Sequence, residues 1–200
     1  MAKLNKGSIT RKNVIDKSLQ LFSVKGYYNT SINDILDATN LTKGGLYGHF
    51  KSKEDIWYEV YGEAVEIWHD IVFDSIRDFH DPVERIEVII NRCMGNYLGS
   101  DIFEGGCFFL NMLVELSGQS EKMCTKILKG YVRFSKLIRD WLKEAAEKKL
   151  LKPGLDYQEI SSFIIISLNG ASALYTSSRD PEIWKQTTRQ LKFYLKQLKN

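Results

Sequence analysis

Little in this chain interrupts a helix. Only three prolines occur in 200 residues. Two stand in Asp81-Pro82 and Asp180-Pro181, where a capping carboxylate precedes a proline at the first helical position. Pro153, in LLKPGLD, falls in a break between helices. No period-two alternation bounded by turn dipeptides is found, which argues against a sheet. The three cysteines, Cys93, Cys107 and Cys124, form no CxxC pair and have no histidine at ligand spacing. That excludes a disulfide scaffold and a zinc site, so neither metal nor cofactor is expected. The histidines (His49, His69, His80) share no partner set. GxSxG, HExxH and a phosphate-binding glycine loop after a strand are all missing, so an enzyme is not indicated. The opening MAKLNKGSITRK has no apolar core of a secretory leader, and Phe163 to Leu168 is too short an apolar run to span a bilayer. A cytoplasmic protein without a membrane partner is expected.

Charge is nearly balanced, at net +3, but it is unevenly spread. Residues 1–54 hold nine basic and four acidic groups (+5), and the remainder holds 19 and 21 (−2). A basic front on a slightly acidic body suits a segment that meets phosphate, although charge alone does not separate this from chance.

The most informative stretch is TSINDILDATNLTKGGLYGHFKSK, from Thr30 to Lys53. Ile32, Ile35, Leu36 and Ala38 recur at helical spacing. Asn40 suits the left-handed residue that ends a helix. Thr42 is a good N-cap for a second helix running to about Phe50. Leu46 and Phe50 would face the first helix. Lys43, Gly44, Tyr47, Gly48 and His49 are left on the outer side, where a recognition helix meets a major groove. The pattern predicts a helix-turn-helix; the plainer alternative is a helical hairpin with a solvated basic face.

The run Thr30-Ser31-Ile32, Leu41-Thr42-Lys43-Gly44, Leu46-Tyr47, His49-Phe50 and Ser52-Lys53-Glu54 resembles the DNA-binding signature of the TetR family of bacterial repressors, over roughly residues 10 to 56. The resemblance implies backbone contacts from Tyr47 and His49, a phosphate clamp at Lys53, and phosphate contact at Thr30 and Ser31. Lys43 and Asn33 are the candidates for base contact, a Lys to guanine and an Asn to adenine. The chain departs from the family at Gly45 and Gly48, where larger side chains are usual. Each glycine costs about 1 kcal/mol of helix stability relative to Ala. A recognition helix that is loosely ordered until DNA orders it is therefore expected, with few direct base contacts.

The whole chain reads as all-α, with about nine helices near 8–25, 31–38, 42–49, 53–76, 82–99, 105–116, 121–148, 156–177 and 181–198. A three-helix DNA-binding head is expected over 1–53 and an effector-binding and dimerisation domain over 54–200. EGGCFFLNMLVELSG (104–118) resembles a segment in a subset of the family that includes the N-ethylmaleimide-responsive repressors. Cys107, Asn111 and Glu115 share one helix face. With Phe103, Phe108 and Met112 they form a candidate effector lining, to which Trp141 and Asn169 are added. Cys107 also reads simply as a small buried hydrophobe, Asn111 as a buttress, and Glu115 as a buried carboxylate seeking Arg133 or Arg139.

The last two helices supply a candidate subunit interface: Phe163, Ile166, Gly170, Ala173, Leu174, Trp184, Leu191 and Leu195. The resemblance implies a four-helix dimer contact there, and a dimer offers two recognition helices to a near-palindromic operator. The expected function is a ligand-responsive repressor that binds double-stranded operator DNA and is released by a small hydrophobic effector. A repressor sensing electrophiles through Cys107 is one alternative. An effector-less DNA-binding protein is another, and it predicts a filled C-terminal core where a sensor predicts a cavity of several hundred Å3.

Overall fold

The structure is a computed structural model that describes residues 6–100 and 102–200. The first five residues of the expected head lie outside the described residues. Among those described there are nine α-helices and no strand, only a single bridge between Leu151 and Lys199. The helices are α1 Lys6–Lys25, α2 Ile32–Thr39, α3 Lys43–Tyr47, α4 Lys53–Phe73, α5 Pro82–Asn91, α6 Phe108–Leu116, α7 Glu121–Glu147, α8 Tyr157–Ser178 and α9 Pro181–Leu198.

Local chemistry sets most of these boundaries. Ser31 caps α2 in a reciprocal box with Asp34, and Asn40 ends it at φ 54°, in the left-handed region. Thr42, Ser52, Ser120, Asp81, Asp156 and Asp180 each accept a first-turn N–H. α3 has only 5 residues, too few to stand alone against the cost of helix nucleation. Leu46 and Phe50, 0% and 1% exposed, anchor it in the buried core that also holds Val14, Phe22 and Ile35. Each fully buried side chain of this size contributes about 2 kcal/mol.

α4 packs along α1 near its start and on the segment after α5 near its end, so it belongs to both halves. The single helix expected over 82–99 is three pieces: α5, a π-helical turn Arg92–Tyr97, and a 3-10 turn Leu98–Ser100. The wider π turn carries Cys93, Met94 and Tyr97 inward. Its outer side is closed by Trp184 of α9, which lies where a Cβ at Gly95 or Gly99 would be only 3.6 or 3.4 Å away.

α8 revises one expectation. With its small residues counted, it is long and apolar enough by length and composition to cross a membrane. Its Ile160, Ile164, Leu168, Ala171 and Tyr175 are buried, and the helix packs on α7 and α9.

Candidate nucleic-acid interface

The outward face of α3 carries Lys43, Gly44 and Tyr47, all exposed, with Tyr47 50% accessible. Thr42 is exposed at the cap and accepts from the Gly45 N–H at 3.2 Å. Asn33, on α2, is exposed on the neighbouring helix. His49 is half-buried just past α3, and its carbonyl accepts from Arg11 at 2.9 Å. Arg11 also lies 4.5 Å over the Phe50 ring and pairs with Glu59. Lys12 and Lys25 are likewise paired, with Glu63 and Asp34. Among the described residues, Lys43 and Lys51 make no ion pair, which leaves them free for phosphate or base. Neither glycine of interest is forced by contact: a Cβ at Gly45 or Gly48 would come no closer than 3.4 Å to any neighbour.

Two expected phosphate ligands are turned inward. Thr30 is fully buried, and its hydroxyl donates to the Gly26 carbonyl at 2.6 Å. The Lys53 ammonium donates to the carbonyls of Tyr27 and Thr30, both at 2.9 Å, and sits 4.3 Å over the Tyr27 ring. Burial lowers its pKa, and Glu115 nearby works in the opposite direction. Lys53 thus pins the loop between α1 and α2 to the start of α4. Ser31 is exposed, but its hydroxyl is engaged with Asp34 at 2.6 Å.

Glu115 finds neither Arg133 nor Arg139. Its carboxylate accepts from the backbone N–H groups of Tyr27 and Tyr28, at 2.8 and 2.7 Å. The loop reaches it because Gly26 has φ +83°, and a Cβ there would stand 2.7 Å from both Glu115 oxygens. A second close approach lies alongside: a Cβ at Gly105 would be 1.7 Å from the Ser23 carbonyl oxygen. α6 and the loop before it therefore grip the end of α1 and the loop after it at two points. No sequence pattern pointed to this junction, though glycine at 26 and 105 was its trace.

The other candidate effector residues separate into groups. Phe103, Phe108 and Met112 are buried, and Cys107 is 8% exposed at the start of α6. Burial raises the Cys107 pKa, with hydrogen bonds from neighbouring backbone and hydroxyls opposing, so the thiol rather than the reactive thiolate is favoured. Asn111 buttresses its own loop, donating to the Gly105 carbonyl at 2.6 Å. Asn111, Met112 and Glu115 line a cleft of about 440 Å3 shared with Phe22, Lys25 and Thr176. Trp141 borders a different cleft, of about 790 Å3, with His69, Phe73 and Arg85. Asn169 bonds back to the Ile165 carbonyl within α8. Around Cys107 itself the core is packed with aromatic rings, so the open volumes lie at its margins rather than at the expected centre.

On the candidate interface, Phe163, Ile166 and Leu174 are 48%, 69% and 62% exposed, and Gly170 and Ala173 lie between them. Phe193, at 60%, joins this apolar surface and was not anticipated. Leu191 and Leu195 are 2% and 0% exposed and pack within the protomer, as does the half-buried Trp184 against Gly95 and Gly99. Those three do not belong to the free face.

Residues 14–60 match the family described as bacterial regulatory proteins, tetR family, and residues 82–191 match the tetracyclin repressor-like C-terminal domain. The HTH-type transcriptional repressor DhaR of Mycobacterium sp. (strain GP1) is 28% identical over 165 residues, covering 80% of this chain and 79% of the relative. The crystal structure of a TetR transcriptional regulator from Chloroflexus aurantiacus superposes with a TM-score of 0.90 at 25% identity, over 98% of each chain. Escherichia coli NemR in its reduced form gives 0.77 at 18% identity, over 96% of this chain and 97% of that one. At that identity the likeness is one of fold and does not extend to its subset.

Proposed function

The chain belongs to the TetR family of helix-turn-helix transcriptional regulators, and on that footing we propose that it is a cytoplasmic repressor which holds a near-palindromic operator as a homodimer and lets go when a small hydrophobic effector binds its C-terminal half. The observation that carries the DNA-binding part is the outward face of α3, where Lys43, Gly44 and Tyr47 stand exposed beside Thr42 and Asn33. α3 is five residues long and contains two glycines. Its few large side chains favour recognition through phosphates and DNA shape, with Lys43 as the main base reader.

The apolar face of Phe163, Ile166, Leu174 and Phe193 supports pairing of two copies through α8 and α9. A two-fold pair would set one α3 in each half-site. The clamp between α6 and the loop 26–30 supports the regulatory part, because a ligand that shifts α6 would move the head with it. In this reading residues 1–53 form the DNA-binding head and 54–200 the sensing body.

Mobility-shift titration against the chain's own promoter tests the reading. Lys43→Ala should weaken binding and flatten its salt dependence by about one unit of slope. Tyr47→Phe should weaken it less. Unchanged binding in both variants would overturn the assignment of this face. Ile166→Glu should give a monomer by light scattering and lose operator binding at micromolar protein.

A further inference from the structure

Two phenols in the aromatic core of the C-terminal half have weak hydrogen-bond partners or none. The Tyr131 hydroxyl, on α7, is buried without a partner, and the Tyr97 hydroxyl, on the π turn, is buried with only weak contacts, to the Cys107 thiol and the Phe108 backbone. The Tyr97 side chain is 5% exposed. A buried hydroxyl in that state has given up its bonds to water and gained little in exchange. Both phenols are within electrostatic reach of the Cys107 thiol, which is a weak hydrogen-bonding group. The inward turn of Tyr97 comes from the π segment, a backbone irregularity that often marks functional positions.

The surroundings are aromatic and uncharged. Phe109 is the hub, with ring centroids 5.9 Å from Tyr61, 6.3 Å from Trp68, 6.3 Å from Tyr97 and 5.7 Å from Phe108. Phe109 is only partly buried, so its ring is the one at the margin of the cluster that a ligand could displace. The cations that reach the cluster, Lys126 at 5.9 Å over the Tyr61 ring and Arg133, act on Tyr61 from exposed positions. Burial raises the pKa of Tyr97, Tyr131 and Cys107 alike, so all three remain neutral donors at physiological pH. An anionic ligand would meet no buried counter-charge here among the described residues, and desolvating it would be prohibitive.

We propose that this cluster binds a neutral aromatic ligand carrying a carbonyl-type oxygen, which displaces the Phe109 ring and accepts hydrogen bonds from the Tyr97 and Tyr131 hydroxyls. The inference rests on the reading that the C-terminal half senses an effector, and it names that effector's chemistry. Ring faces supply stacking, the two hydroxyls supply donors, and α6 passes the displacement to the clamp at Glu115.

The test uses the full chain, tryptophan fluorescence and three naphthalene probes of matched size: 2-acetylnaphthalene, 2-ethylnaphthalene and 2-naphthoate. The ketone should bind roughly 5- to 10-fold tighter than the hydrocarbon, the increment of one hydrogen bond, and the anion more weakly than either. Tyr97→Phe and Tyr131→Phe should each reduce the ketone's advantage and leave the hydrocarbon's affinity alone. Both variants should melt close to the native chain or above it, because Tyr131→Phe deletes an unpaired hydroxyl and Tyr97→Phe deletes one bonded only to a weak thiol partner and one backbone group. Equal binding of ketone and hydrocarbon, preference for the anion, no binding by any probe, or a lowered melting temperature in both variants would overturn the proposal. Mobility shifts run in parallel separate it from the regulatory reading. A ketone that binds through both tyrosines yet leaves operator occupancy unchanged supports the site and removes the effector role.

Discussion

The Glu115 carboxylate holds the backbone of Tyr27 across 88 residues of sequence, accepting its N–H at 2.8 Å, and takes the Tyr28 N–H at 2.7 Å with its other oxygen. The same loop is tied from its opposite side by Lys53. A carboxylate on α6 and an ammonium on α4 therefore share one short piece of main chain, and that piece opens directly into α2.

Glu115→Ala should cost about 2 kcal/mol, the worth of a charged hydrogen bond to partly buried amides. In a chain of this size that lowers the melting temperature by roughly 4–8 °C. The variant should also respond more weakly to effector, because α6 no longer pulls on the loop. Calorimetry that finds an unchanged melting temperature would remove Glu115 from the junction.

Lys53→Met should lower stability by about 1–3 kcal/mol, since two carbonyls lose their donor. The salt slope of operator binding should stay as it is in the native chain, in contrast to Lys43→Ala. Thr30→Val should behave in the same way, its hydroxyl being bonded to the Gly26 carbonyl. A slope reduced by about one unit in Lys53→Met would return that residue to the phosphate backbone.

Ellman's reagent at pH 8 should modify Cys124, which is partly exposed, and leave Cys93 and Cys107 untouched until the chain unfolds. Burial is the largest influence on both silent thiols and pushes their pKa values up. Rapid labelling of Cys107 in the folded protein would revive a thiol-sensing role.

Asp34 gives a pH signature at the head. Lys25, at 2.7 Å, together with the Ser31 hydroxyl and N–H, holds its carboxyl well below the usual range. A depressed carboxylate contributes fully above its unfolded value near pH 4 and loses that contribution as the pH falls below it. The melting temperature of Asp34→Asn should therefore lie below that of the native chain at pH 7, and the gap should narrow progressively as the pH falls below about 4. A gap that stays constant across the series would contradict the pairing.

What could be read from the sequence was local. The turn at Asn40, the caps at Ser31 and Thr42, and the Asp-Pro starts of α5 and α9 each depend on residues within a turn of one another. The outward face of α3 follows from those caps and from the burial of Leu46. The backbone partners of Glu115, Lys53 and Thr30 were invisible because main-chain groups carry no sequence identity. The π turn was hidden for a different reason: one extra residue per turn leaves the apolar pattern of 82–99 looking like an ordinary helix. Leu191 and Leu195 were read as free surface because an apolar stripe does not say which neighbour covers it.

The contact between Gly105 and the Ser23 carbonyl has a consequence for protein engineering. At its tightest point it sets main chain against main chain, and the one side chain that takes part, the Ser23 hydroxyl, accepts from the Gly105 N–H at 3.3 Å. A chimaera that grafts this head onto a foreign body could reproduce every cap and every core residue and still bind DNA without obeying its new ligand. To inherit obedience, the acceptor body would have to present a glycine opposite Ser23.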